Sequence, residues 1–324
     1  MAALEIIQQT ISEELKMLNN RISETLASSN VLMNEIVENY LKTKGKQIRP
    51  IMVLLSAKLF GGINPNAISA AAAVELLHNA SLIHDDVVDE TRLRRNEPTI
   101  NSRWDNHIAV LVGDFFVSEA LHQAANTGDL RIIASLSSLG RMLSLGEIDQ
   151  IYNARMHRLD EASYFNVIGS KTASLFISCV EMGGYAANAS EQELKRIRRF
   201  AELLGLCFQI KDDIFDYFED PNIGKPTGND LREGKITLPL LHVLLQDNIP
   251  GHDRMLQLSR KELLEPEDIN VLINYAKDNG GIEYAYETMN RLREEAREII
   301  AGFPENDVTR SLMSIFDYII TRDK

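Results

Sequence analysis

The stretch AISAAAAVELLHNASLIHDDVVDE, from Ala67 to Glu90, contains neither glycine nor proline. Its alanine richness favours helix and lets neighbouring helices approach closely. Asn64-Pro65 just before it reads as a helix start, with asparagine as cap and proline in the first turn. A second long segment begins at Ser190, where Ser190 and Glu193 form a capping-box pattern, and runs to Glu219 before Pro221 stops it. Between the two, Ile108–Asn126, Leu130–Met156 and Glu161–Ala187 are apolar on a helical period. Shorter amphipathic helices follow Pro239. Gly61-Gly62, Asn222–Asn229 and Gly280-Gly281 read as turns or loops. Alternating β-branched runs are nearly absent. The expectation is an all-α chain, with residues 1–324 forming one domain of about ten or more helices.

The chain has 324 residues, 44% of them hydrophobic and 25% charged, an ordinary balance for a chain that buries a core. Its net charge of −13 excludes a broad nucleic-acid groove, which needs clustered positive charge. Cys179 and Cys207 both lie in apolar stretches and read as buried core residues, not as a disulfide framework. No stretch reaches the roughly 18–20 consecutive apolar residues of a membrane span, and Met1–Asn20 lacks the basic start of a secretion signal. The protein is therefore expected in the cytoplasm.

Asp85 and Asp89 are four apart, which on a helix puts both carboxylates on one face with Asp86 beside them. Asp212, Asp213 and Asp216 repeat the pattern. Like charges at this spacing destabilise a helix unless a cation neutralises them. Mg²⁺ suits the task, since it takes oxygen ligands and is commonly held by one or two carboxylates plus substrate phosphates. One such motif alone reads as a solvated acidic face. Two, embedded in SLIHDDVVDE and LCFQIKDDIFDYF, do not. Facing each other across one cavity, they would hold Mg²⁺ ions around a diphosphate.

Positive charge comes in short, placed groups: Lys46 and Arg49 in GKQIRP, Arg92, Arg94 and Arg95 after the first acidic motif, Lys171 before Thr172, Lys225 in GKPTG, and Lys235 after Gly234. Arginine suits bidentate phosphate contacts and lysine a point charge. Any one of these reads as a surface charge. Clustered beside glycine, proline and the acidic motifs, they define two anion sites, one shared with the metals and one metal-free, lined by Lys46, Arg49, His78 and Arg95. His84 reads as structural.

At these residues the sequence resembles the trans-isoprenyl diphosphate synthases, or polyprenyl synthetases. LIHDDVVDETRLRRN, QIKDDIFDYFED, GKQIRP, Lys171-Thr172, GKPTGND and EGKITLP fit in order and spacing, from about Lys42 to about Leu245. The resemblance implies a helical bundle around a central elongated cavity and a Mg²⁺-dependent head-to-tail condensation of isopentenyl diphosphate with an allylic diphosphate such as farnesyl diphosphate. Up to about three Mg²⁺ ions enter with the substrate. By that resemblance Asp85, Asp89 and Asp212 are direct metal ligands, with Asp86, Asp213 and Asp216 as further or water-mediated partners. Arg94, Lys171, Lys225 and Lys235 hold the allylic diphosphate. Gly45, Lys46, Arg49, His78 and Arg95 hold isopentenyl diphosphate. Lys171, Thr172 and Gln209 face the developing allylic cation. Asn96 and Gln47 depart from the family pattern without removing a ligand. The family also implies a homodimer, and a long apolar product implies peripheral membrane contact.

Product length is read from the helix before Asp85. Ser81, Leu77 and Val74 follow back along nearly the same face, with Ala80 beside Ser81. Short-chain members carry bulky aromatics near Ala80 and Ser81. Small residues here leave room for a growing chain, whose burial gains about 0.8 kcal/mol per CH₂. Phe115, Phe116, Met142 and Leu145 are candidate walls. The expected product has about seven to ten isoprene units, eight as the single choice, suited to a quinone side chain. The rivals are a short-chain synthase, the active subunit of a heteromeric synthase and a class I terpene cyclase. The last usually lacks a second DDxxD motif and a second diphosphate site.

Overall fold

The computed structural model describes residues 7, 9–42, 45–94, 97–156, 159–218, 227–261 and 263–322. Arg95, Asn96 and Lys225 lie outside them. The chain is all-α. Helices α1 (Ser12–Leu26), α2 (Val31–Lys42), α3 (Ile48–Phe60) and α4 (Pro65–Val88) lead into a small antiparallel ladder, β1 (Leu93–Arg94) with β2 (Glu97–Pro98). Then come α5 (Ile100–Arg103), α6 (Asn106–Asn126), α7 (Leu130–Arg155) and α8 (Glu161–Ile168), a π-helical turn (Gly169–Ala173), and α9 (Ser174–Ala186). α10 (Glu191–Phe215), α11 (Asn229–Arg232), α12 (Leu238–Leu244), α13 (His252–Leu258), α14 (Pro266–Asp278), α15 (Gly281–Ala301) and α16 (Asp307–Thr321) complete it. Packing divides the chain into two compact units. The first comprises Met1–Gly140, Phe176–Arg198 and Pro304–Ser314, and the second Arg141–Leu175, Arg199–Phe303 and Ile315–Lys324.

In the first unit α4 is the axis and packs against α1, α3 and α6. Its start is as expected: the Asn64 side chain accepts from Ala67 N at 2.9 Å, with Pro65 in the first turn. Its alanines 70 to 73 are fully buried, which brings neighbouring backbones close. The Ser190 capping box also forms: Ser190 N–H donates to Glu193 Oε2 at 2.8 Å, and Glu193 N–H to Ser190 Oγ at 3.4 Å. α3 and α9 meet at a glycine. A Cβ on Gly183 would lie 2.2 Å from the Val53 carbonyl oxygen, and next to it Ser56 Oγ donates to Val180 O at 2.7 Å. Cys179 is buried here and Cys207 in the second unit, both unpaired, and burial pushes each thiol up.

The second unit centres on an apolar cluster of Tyr217, Leu240, Val243, Leu272, Ile273 and Ala276, where α12 packs on α14 and α15. Two expectations about helices change here. Glu161–Ala187 is not one helix, because the π-turn interrupts it. α10 stops at Phe215 and leaves Asp216 in a turn. The cause lies further along the chain: Asp216 Oδ1 and Oδ2 accept from the backbone N–H groups of Asn229 and Asp230, both at 3.0 Å. Those bonds organise α11, so Asn229 opens a helical turn instead of closing a loop. A third change concerns α6, which is long and apolar enough to cross a membrane by length and composition. Its apolar residues are not confined to one face. Val112, Phe116 and Ala120 are buried, while Val110, Leu111 and Leu121 are exposed.

Candidate active site

Both acidic motifs sit at the C-terminal ends of helices. Asp85 and Asp86 occupy the last turn of α4, and Asp89 is its C-cap residue. Asp212 and Asp213 occupy the last turn of α10, with Asp216 just beyond. Helix C-termini already carry partial negative charge from unpaired carbonyls, so carboxylates there are destabilised until a cation arrives. Spacing alone does not reveal this. Asp89 is exposed, and Asp89→Asn should raise the melting temperature of the metal-free protein by about 1–3 °C. Added Mg²⁺ should narrow that gap by stabilising the native protein more. An equal or lower melting temperature for the variant without metal would refute the electrostatic account.

In the first unit the three motif carboxylates differ in surroundings. Asp85 is half-buried and Asp89 exposed, while Asp86 is 6% exposed. Asp86 is held by Arg94, whose Nε and Nη2 donate to its Oδ1 at 3.0 and 2.8 Å. Burial works against the Arg94 charge, yet its bonds to Asp86 keep its pKa above the ordinary value. The pair and the Asn101 bond to Asp86 O at 3.0 Å anchor the segment following the motif. His84 is structural, its Nε2 lying 3.2 Å from Val110 O and packed over Gly113. Of the residues expected at the metal-free anion site, Arg49 lies in the first turn of α3, 5.8 Å above the Phe176 ring. His78 is on α4, against which α3 packs. Lys46 is exposed and Gly45 half-buried beside it. Gln47 adopts a left-handed conformation, φ 52°, and its amide donates to Asn19 Oδ1 at 3.1 Å. Val74, Leu77 and Ala80 are buried in the α4 core, and Ser81 is half-buried with its hydroxyl donating to His78 O at 2.9 Å.

The second unit holds a cavity of about 170 Å³ that brings together Lys171, Thr172, Gln209, Asp213 and Lys235. The π-turn sets its first wall. Adding a residue to a helical turn changes which side chains share a face, and such turns recur at functional sites. Here it puts both Lys171 and Thr172 on the cavity. α7 approaches the turn closely: a Cβ on Gly146 would lie 3.1 Å from Lys171 N. Lys171 Nζ pairs with Glu147, and Gln150 lies 3.4 Å away. Thr172 Oγ1 donates to Gln209 Oε1 at 2.6 Å, and Gln209 Nε2 donates to Asp213 Oδ1 at 2.8 Å. Tyr164 OH donates to Asp213 Oδ2 at 2.6 Å. Burial, with the Asp230 charge adding, pushes the Asp213 carboxyl up to about 8. Through its bond to Gln209, Asp213 orients that side chain and, through it, Thr172. Lys235 pairs with Glu233. Asp212 binds Arg322, 2.5 Å away. Sequence reading passed over Glu147, Gln150, Tyr164, Asp230 and Arg322. Glu147 and Gln150 offered one signal, polar groups one turn apart on an apolar helix.

Among the described residues no three acidic, histidine or cysteine side chains converge on one point. Asp86, Asp213 and Asp216 are turned to protein partners. What the motifs offer is carboxylate oxygen, with His84 directed elsewhere. That donor set fits a hard cation that keeps waters and takes part of its coordination from a phosphate.

The chain is helical, with two aspartate triplets at helix ends and two lysines lining a cavity. Residues 30–276 match the polyprenyl synthetase family model. The chain belongs to the polyprenyl synthetase family and is a prenyltransferase. It is 32% identical to the octaprenyl diphosphate synthase of Haemophilus influenzae over 97% of this chain and 95% of that one. Among solved structures it resembles a geranylgeranyl pyrophosphate synthase from Bacteroides thetaiotaomicron (TM-score 0.85, 36% identity) and a decaprenyl diphosphate synthase from Rhodobacter capsulatus (TM-score 0.90, 30% identity). Each covers 99% of both chains.

Proposed function

We propose that the chain condenses isopentenyl diphosphate with an allylic diphosphate such as farnesyl diphosphate and repeats the step to a long-chain all-trans product of about seven to ten isoprene units, eight as the single expectation. The observation that carries the reading is the cavity where Lys171, Thr172, Gln209 and Lys235 meet. Lys171 and Lys235 exchange their carboxylate partners Glu147 and Glu233 for the allylic diphosphate. Asp85 and Asp89 in the first unit and Asp212 in the second would each offer carboxylate oxygen to Mg²⁺, which when bound would supply Lewis-acid stabilisation of the departing diphosphate. Thr172 Oγ1 and Gln209 Oε1, fixed through Asp213, turn oxygen lone pairs toward the allylic carbon as its C–O bond breaks. The isopentenyl double bond attacks that carbon, and the released diphosphate takes the proton lost. Lys46, Arg49 and His78 hold the second diphosphate, with Arg94 clamping Asp86 and the segment after it.

The enzyme is proposed as a cytoplasmic homodimer. Leu145, Ile148 and Tyr152 of α7, with Met156 just past its end, form an exposed stripe at spacings of three and four, which suits a second copy. Leu145, expected as a product wall, is one of its exposed residues.

Small residues at Ala80 and Ser81 support the long product, while the geranylgeranyl synthase likeness favours a shorter one. Purified protein given Mg²⁺, farnesyl diphosphate and labelled isopentenyl diphosphate should yield products beyond 30 carbons. Ser81→Phe should shorten them by several isoprene units. A native product ending at about 15–20 carbons, or unchanged products from the variant, would overturn the length assignment.

A further inference from the structure

Arg322 follows directly on α16, and its side chain is 8% exposed. One Nη2 lies 2.5 Å from Asp212 Oδ1 and 3.2 Å from the Phe208 carbonyl oxygen. The guanidinium sits 4.2 Å above the Phe208 ring and 5.4 Å from the Phe215 ring. Phe208, Asp212 and Phe215 recur at helical spacing on α10, so one face of that helix forms the seat. Arg322 Nε is buried without a hydrogen-bond partner. A guanidinium withdrawn from water with one donor unmet is held by its ion pair and by the two rings. Asp212 in turn lies in the last turn of a helix, where negative charge is disfavoured. Arg322 supplies the cation that end of α10 calls for.

We propose that Arg322 stands in for the divalent cation on the second acidic motif: arginine and metal compete for the same Asp212 oxygen, and metal loading frees Arg322 from α10. The proposal rests on the reading of Asp212 as a metal ligand. It makes Arg322 a positioning residue that sets metal affinity. Two consequences follow physically. Metal binding is weaker than the carboxylates alone would give, because the arginine must first be displaced. Displacement also removes an anchor from the end of α16, so the last turn of that helix loosens as the metal enters.

The test uses the full chain and Mn²⁺ as probe, alone and with inorganic diphosphate, followed by the loss of the free-ion paramagnetic resonance signal. Arg322→Gln should tighten Mn²⁺ binding about tenfold, and Asp212→Asn should remove one binding event. In the native chain, hydrogen exchange of amides 315–321 should speed up when Mn²⁺ and diphosphate are added. Unchanged or weaker Mn²⁺ binding by Arg322→Gln, with Asp212→Asn still losing a site, overturns the competition and leaves Asp212 as a ligand. Full Mn²⁺ binding by Asp212→Asn overturns both. Exchange at 315–321 that stays the same or slows on loading overturns the release of α16, and that measurement needs no variant to fold.

Discussion

Asp85→Asn should lower the rate of isopentenyl diphosphate incorporation by about a thousandfold or more, with the fold intact. Asparagine keeps the shape and one oxygen but removes the charge that draws a hard cation. Losing a metal-held stabilisation of the leaving group removes about 4 kcal/mol or more from the transition state, and each 1.36 kcal/mol is tenfold in rate. Structural damage should be small, because Asp85 is half-buried in the last turn of a helix, where the neutral side chain is the better tolerated one. The decisive comparison is single-turnover product formation against far-UV melting in the same preparation. A variant within tenfold of the native rate at saturating Mg²⁺ would remove Asp85 from the metal-binding set. A variant that simply melts earlier would say nothing about metal and everything about packing, so both measurements are needed.

The second large effect concerns folding. Gly183→Val should destabilise the protein by about 3 kcal/mol or more. The clash is with backbone, since the added Cβ falls 2.2 Å from the Val53 carbonyl oxygen and 3.0 Å from Ser56 Cβ. A side chain could rotate away, but a carbonyl inside α3 cannot without parting the two helices. Parting them also breaks the bond from Ser56 Oγ to Val180 O, worth about 1 kcal/mol net. Set against a typical net stability of about 5–15 kcal/mol, the loss should show as a large fall in the urea midpoint. Gly140→Ala is the control, because a Cβ there meets nothing within 4 Å. It should hold or raise stability through better helix propensity. If the two variants melt alike, the close approach of α3 and α9 is not what Gly183 is there for.

How much of this was legible in the sequence depended on the range of the interaction that fixes each feature. α4 was readable almost to the residue because its determinants are local: an asparagine cap, a proline in the first turn, and a run of alanines. Both acidic triplets were readable for the same reason. The end of α10 was not, since Asp216 leaves the helix to bind the backbone at Asn229 and Asp230, and that bond has no signature in the helical period. The partners of the chemistry were hidden in another way. Tyr164 sits in a segment whose pattern reads as ordinary amphipathic helix, and Arg322 reaches Asp212 across 110 positions. The apolarity of α6 misled in the opposite direction. That helix holds no unbroken apolar run of membrane length, yet it is long and apolar enough for a span because its apolar residues are not confined to a single stripe.

The π-turn at Gly169–Ala173 can be restated in the language of insertions and deletions. A turn of this kind holds one residue more than the regular helix on either side of it. Removing one residue, at Gly169 or Ser170, would yield a smoother helix. It would also swing the side chains on one flank by about 100° relative to the other. Lys171 and Thr172 would then no longer share the cavity, and the Lys171 ammonium would leave Glu147. A redesign that scores helices by regularity would therefore delete the residue that puts both side chains on the cavity.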